Sequence, residues 1–215
     1  MPLELVTGNV VIVAHHFNPS ITDQIWLAEK GIVHRDEPES GYVFADMMVQ
    51  VPTRSFHLLI VPETCQFTPN LAIERQQELI VDRLGMLVRT LPHTPFRAVG
   101  MNFVWHLQMD ERALQEFSRR FFVQTSRLHQ HFDVPDARFG AYLSKDTDAG
   151  RLRLDVKPTH MDQAEGARLY LMQFSFNYSL DLVGEANPVE AIERILNHWE
   201  TAKEESSHIA REAEQ

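Results

Sequence analysis

The residues of this sequence best suited to chemistry are its histidines, of which there are 11. Imidazole nitrogens bind Zn²⁺ and related metals, but three or four ligands must converge on one ion. His15 and His16 close a valine-rich segment that is predicted to be a strand. Because adjacent strand residues point to opposite faces, these two cannot easily share a metal. The best combination joins His16, His57 and His106 from separate strands. Together they could form the site of a metal-dependent or hydrolase-like enzyme.

A second metal hypothesis is the His-x-His pair of His129 and His131, although such pairs arise by chance in a histidine-rich chain. Other catalytic signatures are missing. The sequence has no G-x-S-x-G or H-E-x-x-H motif, and its 9 glycines form no phosphate-binding loop. Cys65, the single cysteine, lies in a short predicted strand without an identified activating base. The sequence therefore predicts no cofactor and no metal, and favours a protein that is not an enzyme.

Residues 170–182, YLMQFSFNYSLDL, alternate between apolar and mostly neutral polar side chains. A period of two is typical of a strand with one face in the core, so the aromatic set is predicted to be buried. A second long strand, residues 96–107, alternates in the same way. The opposite face of these strands is predicted to carry the candidate binding residues Gln173, Ser175, Asn177, Asn102 and His106. Neutral amides and hydroxyls suit contact with another protein surface or a wet cleft, and an ordinary solvated face is the alternative.

Composition excludes several classes of partner. The chain has 20 basic and 30 acidic residues and a formal net charge of −10, with the acidic excess spread over both halves. Binding to nucleic acid or to an anionic membrane surface depends on clustered Lys and Arg, so neither is expected. No stretch approaches the roughly 18 consecutive apolar residues of a membrane span. One cysteine forms no internal disulfide, and we expect a cytoplasmic, reducing environment.

Capping residues place the predicted helices. Thr68-Pro69 is predicted to begin a long helix that runs to Leu91, and Asp110 caps the next helix. Asn187-Pro188 begins a final helix that is predicted to end near residue 205. Residues 206–215 are polar enough that we expect them to fray.

The order of elements is β-α-β-β-(β)-α followed by β-α-β-β-β-α, which suggests two pseudo-repeated halves at about 1–93 and 94–205. Short similarities support the repeat, including AIER at Ala72–Arg75 and at Ala191–Arg194. We predict one globular domain over 1–215 with an α+β, two-layer architecture, in which long helices cover one face of a mostly antiparallel sheet. The element order resembles the saddle-shaped TATA-box-binding-protein type or the helix-grip fold. The resemblance concerns element order alone and implies no function.

Three functional hypotheses follow. The leading one is a non-enzymatic protein-binding or assembly module, acting through a protein partner or self-association on the neutral polar face. The second is the histidine-based enzyme, with its cleft on that same face. The third is a small-ligand carrier that uses a gap between the sheet and a long helix.

Overall fold

The structure, a computed structural model, describes residues 2–121, 129–134, 136–147 and 150–213. The strands are β1 (Leu3–Ala14), β2 (Val43–Ala45), β3 (Met48–Pro52), β4 (Phe56–Val61), β5 (Thr64–Pro69), β6 (Phe96–Met109), β7 (Ala141–Thr147), β8 (Gly150–Asp162) and β9 (Arg168–Asp181). The helices are α1 (Gln24–Glu29), α2 (Gln76–Thr90), α3 (Glu111–Arg119), α4 (His129–Phe132), α5 (Pro188–Leu196) and α6 (Trp199–Glu212). None of the helices in these ranges is both long and apolar enough to cross a membrane.

The strands form one nine-stranded antiparallel sheet in the order β2-β3-β4-β5-β1-β6-β9-β8-β7. This arrangement confirms the predicted α+β class with an antiparallel sheet. The longest pairing joins β6 to β9, where Ala98 lies opposite Asp181 and Met109 lies opposite Tyr170. On its other side β6 pairs with β1. Strands β1–β5 and strands β6–β9 therefore meet at the centre of the sheet.

The core lies on one face of this sheet because every long strand alternates between buried and less buried residues. In β9 the buried set includes Phe174, Phe176 and Tyr178, each at most 2% exposed. These three aromatic residues of the alternating segment 170–182 are therefore core, as predicted, and Tyr170 packs against the core from a partly buried position. One hydrophobic cluster joins this face to the buried apolar side chains of the helices, including Leu27, Leu84, Phe117, Ile192 and Trp199.

The start of the second helix differs from the prediction. Thr68 and Pro69 belong to β5, where Pro69 lies opposite Phe56, and α2 begins only at Gln76. Threonine suits a strand and proline is tolerated at a strand terminus, so Thr-Pro is compatible with a strand end as well as with a helix start. The sequence Ala72–Arg75 consequently precedes α2, whereas Ala191–Arg194 is helical. This similarity does not support a repeat.

The C-terminal region also differs from the prediction. The final helix is divided into α5 and α6, and α6 continues through the expected frayed segment to Glu212. Ser206 and Ala210 are 0% exposed, and the Ser206 Oγ accepts a hydrogen bond from Trp105 Nε1 at 2.9 Å. With Trp199 and Ala202 these residues form a buried stripe at helical spacing. After Trp199 the buried residues of the stripe are all small, so they form no visible apolar pattern among the polar residues of the segment.

Candidate functional site

The face of the sheet opposite the helices is called the open face below. Its side chains in β1, β6 and β9 are mostly half-buried, in alternation with the fully buried set. In the described part of the chain, the buried apolar side chains of the helices all belong to the core cluster on the other face. The candidate binding residues can therefore be placed on a surface that no described helix packs against.

Three asparagines and an arginine form a continuous hydrogen-bonded row across four strands, which we call the asparagine ladder. Arg153 Nη1 donates to Asn177 Oδ1 at 3.1 Å, and Asn177 Nδ2 donates to Asn102 Oδ1 at 2.8 Å. Asn102 Nδ2 then donates to Asn9 Oδ1 at 2.8 Å. The strand register places each of these residues directly opposite the next. Each inner amide both donates and accepts, so its orientation is fixed.

The ladder has room because its neighbour in β6 is glycine. A Cβ atom at Gly100 would lie 3.2 Å from Asn177 Nδ2 and 3.3 Å from the Tyr178 carbonyl oxygen. Such contacts are tighter than ordinary van der Waals distances, so any larger residue here would push against the Asn177 amide. The small residue Gly100 thus leaves the space that the Asn177 amide occupies when it bonds to Asn102.

The remaining candidate residues form a second hydrogen-bonded group on the same face. His106 Nε2 lies 3.3 Å from Gln173 Oε1, and Gln173 Nε2 donates to Ser175 Oγ at 2.9 Å. His106 and Gln173 are register partners in β6 and β9. All five residues that the sequence nominated thus lie on the open face, divided between this group and the ladder.

Sequence reasoning missed two members of the ladder. Asn9 interrupts a valine-rich segment, and Arg153 belongs to the polar set of the alternation RLRLDV. Each was visible as a polar residue on a predicted strand. The signal that joins them to Asn102 and Asn177 is the strand register, which a pattern of alternation does not contain.

A large part of the open face carries no charged group. Asp, Glu, Lys and Arg are absent from the open-face positions of β3, β4 and β5, of β1 from Thr7 onward, and of β6 from Ala98 to Gln108. We call this part the uncharged region. Half-buried apolar residues alternate there with the amides and hydroxyls, among them Val11, Val13, Leu59, Val61 and Val104. Charged side chains begin again at Asp181, the end of β9, and in β8, which carries Arg151, Arg153, Asp155 and Lys157.

The three candidate histidines do not converge. His57 is in β4 and His106 in β6, with β5 and β1 between them, a lateral separation of about 14 Å at the usual strand spacing. His16 follows β1 and lines a separate cavity with Phe17 and residues 90–95. Among the described residues, no group of three or more His, Cys, Asp or Glu side chains is arranged to hold a metal ion. The His129 side chain of the His-x-His pair lies outside the described part.

Cys65 has no features of a nucleophile. It is 0% exposed within β5, and burial raises the pKa of its thiol to about 12. Because the thiolate is the reactive form, a thiol with this pKa is inert near neutral pH. The residue acts as a small apolar side chain of the core.

We expect the asparagine ladder to contribute measurably to stability. Replacing Asn102 with leucine leaves Asn9 Oδ1 and Asn177 Nδ2 without their partner, at half-buried positions. The free energy of unfolding should fall by about 1–2 kcal/mol in spite of the added apolar surface. Urea denaturation measures the change. The matched variant Gln108→Leu, at an exposed position of the same strand, should stay within about 0.5 kcal/mol of the parent; equal losses in both variants would contradict the role of the ladder.

Comparison with known proteins adds no assignment to this geometry. No known family model matches the chain, and no curated protein matches it either.

Proposed function

We propose that the protein is a non-enzymatic assembly module that associates with a second copy of itself through the uncharged region of its open face. The observation that carries this proposal is the absence of charged side chains from a surface of five adjacent strands: the open-face positions of β3, β4 and β5, of β1 from Thr7 onward and of β6 from Ala98 to Gln108. An ordinary solvated strand face is rich in Lys and Glu, which keep a sheet surface apart from other proteins. A broad sheet surface without such charges supports contact with a protein.

The net charge favours this region for self-association. Two copies of a chain with a formal charge of −10 repel each other over most of their surfaces. In a symmetric dimer the same patch meets itself, so any net charge in that patch would face an equal charge. The uncharged region avoids this cost. Its half-buried valines and Leu59 would gain burial on contact, while the amides would supply interface hydrogen bonds.

The fixed amides also support the proposal. Side chains that are ordered before association lose less conformational entropy when the interface forms. Asn102, within the uncharged region, is held by two hydrogen bonds of the ladder. In the adjoining strand β9, Asn177 is held by two of the ladder and Gln173 by two of the second group. The polar part of the surface is thus ordered in the isolated chain.

We also infer that the chain consists of two pseudo-equivalent halves with a saddle-type element order. The strand order supports this inference, because β1 is followed outward by β5, β4 and β3, and β6 is followed outward by β9, β8 and β7. In each half the first strand is central and the last strand lies beside it. A reducing, cytoplasmic environment is a further part of the proposal, supported by one cysteine that is buried as a free thiol.

The test is a charge placed at the centre of the uncharged region. Val11 lies between Gln66 of β5 and Gly100 of β6, so Val11→Lys introduces an ammonium group there. The parent protein should be a dimer at micromolar concentration in sedimentation velocity, and the variant should associate roughly 100-fold more weakly because two like charges would face each other. The lysine stem covers the same apolar surface, so the unfolding free energy should change by less than about 1 kcal/mol.

The control is Ile25→Lys, which also replaces a β-branched apolar side chain with lysine, at a 62% exposed position of α1. It should leave the dimer intact. A parent protein that sediments as a monomer throughout the micromolar range would overturn the proposal.

One observation favours a second candidate function, the small-ligand carrier. A cavity of about 370 Å³ lies between the sheet and α6, lined in part by Lys145, Tyr178, His198 and Glu205. The Tyr178 hydroxyl is buried, and none of the described residues meets it in good hydrogen-bonding geometry. Burial, together with the nearby Glu205 carboxylate, raises the pKa of Tyr178. A neutral phenol that faces a cavity is suited to donate a hydrogen bond to an oxygen of a bound molecule.

A further inference from the structure

A cleft at one end of the open face, which we call the arginine cleft, gathers positive charge in this acidic protein. Its volume is about 450 Å³, and its lining includes Arg97, Arg151, Arg153, Ser179 and Asp181. The arginines come from β6 and β8, and Ser179 and Asp181 come from β9 between them. The lining carries three positive groups against one carboxylate, in a chain where acidic residues outnumber basic ones by 30 to 20.

Two of the three guanidinium groups lack a carboxylate partner in the described part of the chain. Arg153 is held by neutral oxygens alone, Asn177 Oδ1 at 3.1 Å and Ser179 Oγ at 2.5 Å. Arg97 is exposed and its side chain makes neither a hydrogen bond nor an ion pair with the described residues. Arg151 differs, since it pairs with Asp146 at 2.8 Å and donates to Ser144 at 2.7 Å. The cleft thus holds unneutralised positive charge although acidic side chains are abundant.

The asparagine ladder positions one of these groups. Asn177 presents its Oδ1 to Arg153 because its Nδ2 is already committed to Asn102 Oδ1. Ser179 Oγ engages the same Nη1 atom, which leaves the Nε and Nη2 donors of Arg153 without a protein partner in the described residues. A guanidinium fork held in one orientation with unused donors is suited to paired hydrogen bonds with an oxyanion.

We propose that the arginine cleft binds a small molecule through an oxyanion group, a phosphate or a carboxylate. Arg97 and Arg153 supply the charge and the hydrogen-bond donors, and Asn177 and Ser179 position Arg153. The volume lies in the lower part of the range for small-molecule sites, about 300–1,000 Å³. Asp181 opposes the anion by its charge, and its Oδ1 is occupied by the Val183 amide at 2.9 Å. This ligand site goes beyond the proposed self-association. Asn177 takes part in both, but Arg97 and Arg153 lie outside the uncharged region.

Inorganic phosphate is the probe for the test, titrated by calorimetry at constant ionic strength. Arg153→Gln and Arg97→Gln should each weaken phosphate binding about tenfold, the effect of losing one charge-assisted hydrogen bond of about 1.4 kcal/mol or more. Asp181→Asn should strengthen binding several-fold, since it removes the opposing charge and keeps an oxygen for the Val183 amide. Arg54→Gln is the matched control, because Arg54 is 92% exposed in the turn between β3 and β4. It should leave phosphate affinity unchanged.

Three results would overturn the proposal. The first is no phosphate binding by the parent protein at millimolar concentration. The second is an equal loss of affinity in Arg54→Gln and Arg153→Gln, which would show general attraction to surface charge. The third is binding of a glutamate-rich peptide without binding of phosphate, which would assign the cleft to an acidic protein segment. Thermal unfolding of each variant establishes that it is folded before it is titrated.

Discussion

Replacing Trp199 with alanine is expected to lower the free energy of unfolding by about 3–5 kcal/mol, the range for removing a large aromatic side chain from a core. Trp199 is the first residue of α6 and is 0% exposed. The centroid of its ring lies 4.7 Å from that of Phe103 in β6. The edge of its six-membered ring comes within 3.1 Å of the position that a Cβ would take at Gly8. The indole therefore fills the space between the C-terminal helix and the two central strands.

We expect the loss to lie in the upper part of this range, because the indole also belongs to a buried polar group. Trp199 Nε1 donates to Gln76 Oε1 at 3.2 Å, and Lys203 Nζ donates to the same oxygen at 3.0 Å. Gln76 is itself 0% exposed, and its Nε2 donates to the Asn70 carbonyl oxygen at 3.1 Å. Removing the indole creates a cavity. It also takes away one of the two hydrogen-bond donors to the buried Gln76 Oε1.

Urea denaturation and thermal unfolding measure this effect, and the melting temperature should fall by roughly 10 °C for a chain of this size. Trp199→Phe is the matched variant, since it retains most of the ring but loses the N–H. Its loss should be closer to about 1–2 kcal/mol. A change below about 1 kcal/mol in Trp199→Ala would contradict the central role of this residue.

The second large effect is expected at Gly150, where alanine should cost more than about 2 kcal/mol. Gly150 begins β8 with a φ of +117°, a conformation that residues with a Cβ rarely adopt. A Cβ at this position would also lie 2.4 Å from the Ser179 carbonyl oxygen in β9, which is far inside contact distance. Either β8 must move away from β9 or the backbone of Gly150 must change.

Gly166→Ala separates these two causes. Gly166 has a φ of +78°, but a Cβ there meets nothing within 4 Å. This variant should show the conformational cost alone, about 1–2 kcal/mol, and Gly150→Ala should show a clearly greater loss in the same denaturation experiment. Equal losses would mean that the contact with Ser179 is relieved at no cost. The Ser179 side chain also contacts Arg153, so a displacement of this strand pair would disturb the arginine cleft as well.

Signals that act within a few residues are readable in the sequence. Asp110 caps α3 by accepting a hydrogen bond from the Ala113 amide at 2.7 Å, and Asn187 caps α5 by accepting one from the Glu190 amide at 3.3 Å. Both caps were predicted from residue type and spacing. The backbone fixes the geometry of a helix start, so the partners of a capping residue are always near it in the chain.

Local sequence signals cannot predict the structure where the same residues suit two different elements. Thr68-Pro69 suits the end of β5 as well as the start of a helix, and pairing of β5 with β4 and β1 decides between them. The polar appearance of residues 206–212 conceals a stripe of small residues that becomes buried because Trp105 and the core face of the sheet lie beneath α6. In both regions the deciding contact comes from a distant part of the chain.

The sequence by itself determined which face each side chain of β6 and β9 occupies, because the two-residue period of a strand is a property of the backbone. It therefore nominated Asn102, His106 and Asn177 as members of one surface. Only the tertiary structure decided which polar groups on that surface meet. Asn9 and Asn102 are 93 residues apart in the chain, and their hydrogen bond depends on the pairing of β1 with β6. Alternation assigns a face but leaves the register free, and the register creates the asparagine ladder and the arginine cleft.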